Sequence, residues 1–127
     1  MRLIASSISL ARESGVATLG FNADDREPGN YILLQRDLNP QQADRDLGHD
    51  RPYVEIGEQM CSAYGAVREG VIRGGSLVLA LDPRIATALG IDEAIEIVFA
   101  SDHVRRDEVV EQLRVILGAE HVRVADS

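Results

Sequence analysis

Few side chains in this sequence have the types and spacing that catalysis or metal binding would need. The three histidines, His49, His103 and His121, lie far apart, and none is at a metal-ligand spacing from another histidine or from Cys61. Cys61 lies in a β-patterned run, where we expect a small core residue, because a nucleophilic thiol needs a base and an electropositive setting. We therefore predict no catalytic residue, no metal site and no cofactor.

The acidic pairs and the glycine turns also give no strong indication of a catalytic or ligand-binding site. Neighbouring carboxylates on loops and at helix starts are usually solvated or cap a helix, so no cation site is expected at Asp24-Asp25, Asp92-Glu93 or Asp107-Glu108. Gly74-Gly75 does not precede a helix, which argues against a phosphate-binding loop. One alternative stays open, a hydrolase that uses the aspartates and the histidine of the loop at 44–50.

The composition predicts one globular domain over residues 1–127. Twenty-one acidic residues against thirteen basic residues, all of them arginine, give a net charge of −8. A nucleic-acid-binding protein usually has the opposite balance, because phosphate contacts require Lys and Arg. No apolar run approaches the roughly 20 residues of a membrane span, and serines interrupt the first ten residues, unlike a signal peptide. We expect a cytoplasmic protein that has no disulfide and binds neither nucleic acid nor membrane.

Alternating apolar residues predict that most of the chain forms β strands. Ile4, Ile8 and Leu10 fall on one side of a first strand, which pairs with a second strand in a hairpin. Gly74-Gly75 lies between two β-patterned runs and predicts a two-residue hairpin loop. The second of these runs is apolar throughout, which predicts a central strand covered on both faces. The pattern from Gln59 to Leu81 is that of strands, broken at Gly65 and Gly70. The strands predicted after the first are 16–21, 31–36, 53–56, 59–64, 67–73, 76–81, 95–99 and 122–124.

Capping signals predict two short helical segments before the last part of the chain. Asp82-Pro83 is typical of a helix start, because aspartate caps the first turn and proline fits the first helical position. Gly90 is typical of the end of this helix. The polar stretch at 41–47 can hold one helical turn, which Gly48 would end.

A final helix completes the predicted fold. Apolar residues recur at helical spacing over 105–117, and Ser101 or Asp102 can cap the start of this helix. The sequence therefore predicts an α+β fold, with a mainly antiparallel sheet and two or three short helices. The expected core includes Leu79, Ile97 and Leu113.

The strand–helix–strand segment at 76–99 has a second interpretation. It looks like the half-barrel of swapped-hairpin antitoxins, which bind DNA through a basic surface. The part from Asp82 to Phe99 has four acidic residues and a single basic one, Arg84, so its charge opposes this interpretation. The alternative function that it leaves open is a DNA- or ligand-binding regulatory domain.

Several short motifs follow one another in a set order between residues 31 and 117. They are Tyr31-Ile32-Leu33-Leu34-Gln35-Arg36, Leu47-Gly48-His49-Asp50, Tyr53-Val54-Glu55-Ile56, Tyr64-Gly65, the leucine-rich strand to Leu81, the segment at 82–93 and the closing helix. As a whole, this stretch resembles a bacterial immunity protein family of polymorphic toxin systems, the family numbered ten. The resemblance implies a cytoplasmic protein that binds and neutralises a cognate toxin domain, and it supplies no catalytic residue. A toxin with a basic surface would suit the acidic charge.

The loop before the strand at 53–56 is the predicted partner-binding surface. Asp44, Asp46 and Asp50 place three carboxylates close together, and Tyr53 adds an aromatic residue of the kind enriched at interfaces. The alternative is a solvated loop with Tyr53 packed beneath it. The next candidate surface is the acidic loop that holds Asp24, Asp25 and Glu27.

Overall fold

A computed structural model describes residues 1–23, 30–57, 61–99 and 105–125 of the chain. Over these residues, strands and helices of an α+β fold follow one another along the chain. The strands are β1 (Arg2–Glu13), β2 (Val16–Ala23), β3 (Tyr31–Asp37), β4 (Tyr53–Ile56), β5 (Cys61–Tyr64), β6 (Val67–Arg73), β7 (Ser76–Leu81), β8 (Ala94–Phe99) and β9 (Val122–Val124), and the helices are α1 (Gln42–Asp46), α2 (Pro83–Leu89), α3 (Arg106–Leu117) and a 3₁₀ turn at Ala119–His121.

The strands form one sheet with the order β5-β4-β3-β2-β1-β8-β7-β6-β9. Its pairs are antiparallel except β1 with β8 and β6 with β9, which are parallel. Only Gly65 and Ala66 separate β5 from β6, although seven strand spacings of about 4.8 Å would put these strands roughly 33 Å apart in a flat sheet. The sheet must therefore curl strongly. α3 packs against strands as far apart as β3 and β9, so it lies inside the curl.

The core lies between α3 and the inner face of the sheet. The three predicted core residues, Leu79, Ile97 and Leu113, are fully buried, which confirms the predicted faces of these elements. Gly70 on β6 lets α3 approach closely, because a Cβ there would lie 3.0 Å from Cδ2 of Leu113. No helix of the described residues is both long and apolar enough for a membrane crossing.

A buried amide ties α3 to the hairpin formed by β1 and β2. Gln112 is buried in α3, and its Nε2 donates hydrogen bonds to the carbonyl oxygens of Ala11, at 2.8 Å, and Thr18, at 3.0 Å. Its Oε1 accepts a hydrogen bond of 2.9 Å from Nε of Arg12. The amide therefore has partners for both its nitrogen and its oxygen, as a buried polar group requires.

The ends of α2 follow the sequence prediction. The carboxylate of Asp82 accepts a 2.9 Å hydrogen bond from the backbone N–H of Arg84, and this bond, with one from the Arg68 side chain, lowers the pKa of Asp82. Gly90 ends the helix with φ of 73°. The residues proposed to cap α3, at 101 and 102, lie outside the described residues, as does His103.

The first strand differs from the prediction, because it contains a β-bulge. Ala5 pairs with Ala23 and Ser7 with Asn22, so β1 has one extra residue between these pairs. The extra residue reverses the alternation of faces. Ile4 was expected to share the core side with Ile8 and is instead 53% exposed. Leu3 and Ala5 take the core positions before the bulge.

β7 is an interior strand of the sheet, as predicted, but the expected cover is complete on one face only and partial on the other. Its leucines are buried on the inner face, whereas Val78 and Ala80 are only half-buried on the outer face. The hairpin loop at Gly74-Gly75 is confirmed, and Gly74 takes a positive φ of 55°.

Candidate functional site

All three tyrosines of the chain lie together on the outer face of β3, β4 and β5. Tyr53 pairs directly with Tyr64, and Glu55 pairs with Leu33, two residues from Tyr31. Side chains alternate between faces along a strand, so Tyr31, Tyr53, Glu55 and Tyr64 share one face while their neighbours enter the core. The antiparallel register of three strands brings these residues together.

Glu55 holds two of the tyrosines. Its carboxylate accepts hydrogen bonds from the hydroxyls of Tyr31 and Tyr53, the second at 2.5 Å. Because these bonds stabilise the carboxylate, they lower the pKa of Glu55. The same bonds, followed by burial, raise the pKa of both phenols. The group is therefore a fixed network with its charge on Glu55.

Tyr64 joins this network to helix α1. Its ring lies 5.1 Å from that of Tyr53 and stacks on that of His49, with 4.4 Å between the ring centroids. His49 also closes α1: its N–H bonds to the carbonyl of Asp44 at 2.8 Å, and Gly48 N–H bonds to that of Arg45 at 3.0 Å. This is a Schellman motif, with Gly48 at a positive φ of 76°. The cap that ends α1 therefore also docks the helix on β5.

A surface cavity of about 210 Å³ lies between α1 and this aromatic group. It is smaller than the roughly 300 Å³ at which pockets for small molecules usually begin. One of its arginines, Arg36, donates a 3.0 Å hydrogen bond to the carbonyl of Ile116 at the end of α3. The cavity is lined by Val16, Gln35, Arg36, Asp37, Asp44, His49, Arg51, Tyr53 and Tyr64.

The predicted site residues fall into two groups. Asp44 and Tyr53 line the cavity, whereas Asp46 and Asp50 are not among its lining residues. The carboxylate of Asp44 accepts a 3.0 Å hydrogen bond from Gln41 N–H and so caps α1. Tyr53 is half-buried on the outer face rather than within the core. The alternative acidic surface, at Asp24, Asp25 and Glu27, lies outside the described residues.

The sequence interpretation missed Tyr64, the contact of His49 and the exposure of Leu47. Leu47 ends α1 and is 69% exposed. A signal for Tyr64 was present, because a hairpin between the runs at 53–56 and 61–64 places it opposite Tyr53. Predicting that His49 stacks on Tyr64 would also have required knowledge of how α1 docks on the sheet.

The geometry gives little support to a hydrolytic or metal site in the loop at 44–50. The ring of His49 faces Tyr64, and the carboxylate of Asp46 accepts a 2.8 Å hydrogen bond from the side-chain amide of Gln42. In the part of the chain that the structure describes, no three His, Cys, Asp or Glu residues are grouped as metal ligands would be. Burial raises the pKa of the Cys61 thiol, which disfavours the nucleophilic thiolate.

The swapped-hairpin interpretation also finds no support in the fold. β7 and β8 pair with each other, and their outer edges pair with β6 and β1 of the same chain. The segment at 76–99 is therefore an interior part of one large sheet.

Tyrosine is enriched on surfaces that bind other proteins, and here Tyr64 is exposed while Tyr31 and Tyr53 are half-buried beside it. A protein-binding surface is the class that this arrangement favours. Comparison of the sequence with protein families agrees with this class. The chain belongs to the immunity protein 10 family, which it matches over residues 4–107. The predicted family is confirmed. The match begins at residue 4 and so also covers nearly all of the β1–β2 hairpin, which precedes the stretch on which the resemblance was based. No curated protein matches the chain.

Proposed function

We propose that this protein is a cytoplasmic immunity protein, one domain over residues 1–127, that binds a cognate polymorphic toxin domain and blocks it without catalysing a reaction. Membership of the immunity protein 10 family is the observation that carries the proposal. The outer face of β3, β4 and β5 supports it, because tyrosines held in place by Glu55 lose little conformational freedom when a partner binds.

The proposed contact surface is formed by Asp44, Asp46, Asp50 and Tyr53. Tyr53 and Asp44 line one cavity, and the other two carboxylates lie on the same short segment around α1. An acidic surface attracts a basic partner over long distances and so raises the association rate, whereas an aromatic contact buried in the interface slows dissociation. We therefore expect a toxin with a basic surface.

The first experiment is a rescue assay with the toxin encoded beside this gene. Cells that express the toxin should survive only when this protein is also present. The purified protein should bind a catalytically inactivated form of the toxin in a one-to-one titration. Failure of both rescue and binding would contradict the proposed function. Hydrolytic activity of the purified protein that is lost in His49→Ala would support the hydrolase instead.

The second experiment tests the surface. A triple variant, Asp44→Asn, Asp46→Asn and Asp50→Asn, should associate about tenfold more slowly at low salt, with a smaller difference at high salt. Asparagine retains the side-chain oxygen that caps α1 at position 44, so the helix should persist. The matched control changes three exposed acids on or after α3 in the same way: Asp107→Asn, Glu111→Gln and Glu120→Gln.

The control separates local charge from total charge. If both triple variants associate equally slowly, the effect comes from net charge, and the contact surface lies elsewhere. Tyr53→Ala should instead accelerate dissociation with little change in association. Thermal unfolding of each variant verifies that the fold is retained.

A further inference from the structure

Leu47 is an apolar side chain displayed in an acidic setting. It is 69% exposed, more than Ile4, Leu38, Tyr64 or Val124, the other large apolar residues exposed in the described part of the chain. Single exposed leucines are common on protein surfaces, so exposure alone carries little weight. The surroundings of Leu47 distinguish it.

Helix α1 holds Leu47 in a defined position. A helix of five residues is unstable alone, but hydrogen bonds close this one at both ends. At its start, Gln41 and Asp44 form a capping box, and at its end Gly48 and His49 complete the Schellman motif. Stacking of His49 on Tyr64 then fixes the segment against β5. Leu47 is therefore displayed on a preorganised segment, which reduces the entropy lost on binding.

The charges around Leu47 select the kind of partner. Asp44, Asp46 and Asp50 lie within three residues of it, and Arg45 is the only basic residue in that interval. An exposed apolar side chain with three carboxylates within three residues along the chain suits an apolar pocket that has arginine or lysine at its rim. A central apolar contact shielded by polar groups is the usual arrangement of an energetic hot spot.

We propose that Leu47 is the apolar anchor of the toxin interface and inserts into a pocket of the toxin whose rim is basic. This inference rests on the proposed function and adds to it a residue and a pocket of stated chemistry. The tyrosines and Glu55 then form the flanking contact, and the carboxylates around Leu47 pair with the basic rim.

The test compares two exposed apolar residues in one background. Leu47→Ala should weaken binding of the inactivated neighbouring toxin by about 30-fold, mainly through faster dissociation. Leu47→Met should stay within about threefold, because methionine keeps the apolar volume. The matched control is Ile4→Ala, which truncates a 53% exposed residue on β1 and should leave the affinity unchanged. Both truncations should leave the unfolding temperature close to that of the parent.

The outcomes test the role of Leu47 as the anchor separately from the proposed function. If the parent protein binds the toxin and Leu47→Ala binds as tightly as Ile4→Ala, the anchor is refuted while the proposed function stands. If the parent protein neither binds the toxin nor rescues cells from it, both proposals fail. A loss of affinity in Leu47→Ala with a lower unfolding temperature would also count against the anchor, since it would place Leu47 in the fold.

Discussion

His49 stacks on Tyr64 with 22° between the ring planes, although His49 lies in the cap that follows helix α1 and Tyr64 is the last residue of strand β5. The contact joins a short polar helix to the edge of the sheet. Because His49 also donates the last hydrogen bond of the α1 cap, the geometry of the helix end and the position of the ring depend on each other.

Removal of this ring should loosen α1 more than it destabilises the whole protein. His49→Ala should lower the free energy of unfolding by about 0.5–1.5 kcal/mol, the usual worth of an aromatic pair. Amide hydrogen exchange at Gly48 and at residue 49 should accelerate. His121→Ala is the control, because it removes an exposed imidazole that lies beside Glu120 on the surface instead of stacking on Tyr64. Equal exchange in the two variants would show that the stack does not hold α1.

Close packing of α3 on β6 should make Gly70 sensitive to any added side chain. Leu113 and two other leucines lie within 3.5 Å of the position that a Cβ would take, and Leu113 is fully buried. Gly70→Ala should therefore destabilise by about 1–3 kcal/mol. Leu113→Ala should lower the free energy of unfolding less in the Gly70→Ala variant than in the parent, because the cavity left by the leucine accepts the new methyl group. Strictly additive effects in denaturant titrations would contradict this packing.

Local signals in the sequence were sufficient to predict most elements of this fold. The caps at Asp82 and Gly90 depend only on near neighbours, as does the glycine pair between β6 and β7, and all three were predicted. The bulge in β1 was not predicted, because nothing in the local pattern shows that the alternation of faces reverses between Ala5 and Ser7.

Features that depend on pairing between segments far apart in the chain could not be predicted from the sequence. The parallel pairing of β1 with β8 and the curl that brings β5 beside β6 join parts of the chain without a common local signal. The same limit applies to the candidate site. Tyr53 could be proposed from its own segment, but its contact with Tyr64 follows from strand register, and the exposure of Leu47 follows from how α1 docks.

Gln112 should be a stabilising residue although it is polar and buried. Gln112→Met keeps the size of the side chain but leaves the carbonyls of Ala11 and Thr18 without this donor, which should cost about 1–3 kcal/mol. Gln112→Glu should be worse near neutral pH, because a carboxylate cannot donate to those carbonyls. Glu111→Gln, at the exposed neighbouring position, is the control and should change stability little. Chemical denaturation of the three variants verifies the order.

The bonds between Glu55 and the two tyrosines should appear in the alkaline titration of the protein. Hydrogen bonding to Glu55 raises the pKa of Tyr31 and Tyr53 above the ordinary value of 10.0. Glu55→Gln removes the negative charge, so phenolate absorbance should develop at lower pH than in the parent. The control is Glu69→Gln, which changes an acid that pairs with Arg123. Superimposable curves for the parent and Glu55→Gln would refute the network.

The same bonds set the pH range over which Glu55 stabilises the fold. A lowered pKa in the folded state means that its contribution is present above the ordinary glutamate value of 4.5 and is lost as pH falls through the lowered pKa. Raised phenol pKa values mean that the contribution is present below 10.0 and is lost as pH rises through them. The difference in stability between the parent and Glu55→Gln should therefore be largest near neutral pH. Denaturant titrations at acidic, neutral and alkaline pH measure it, and a difference that does not vary with pH would show that Glu55 is not ionised in this network.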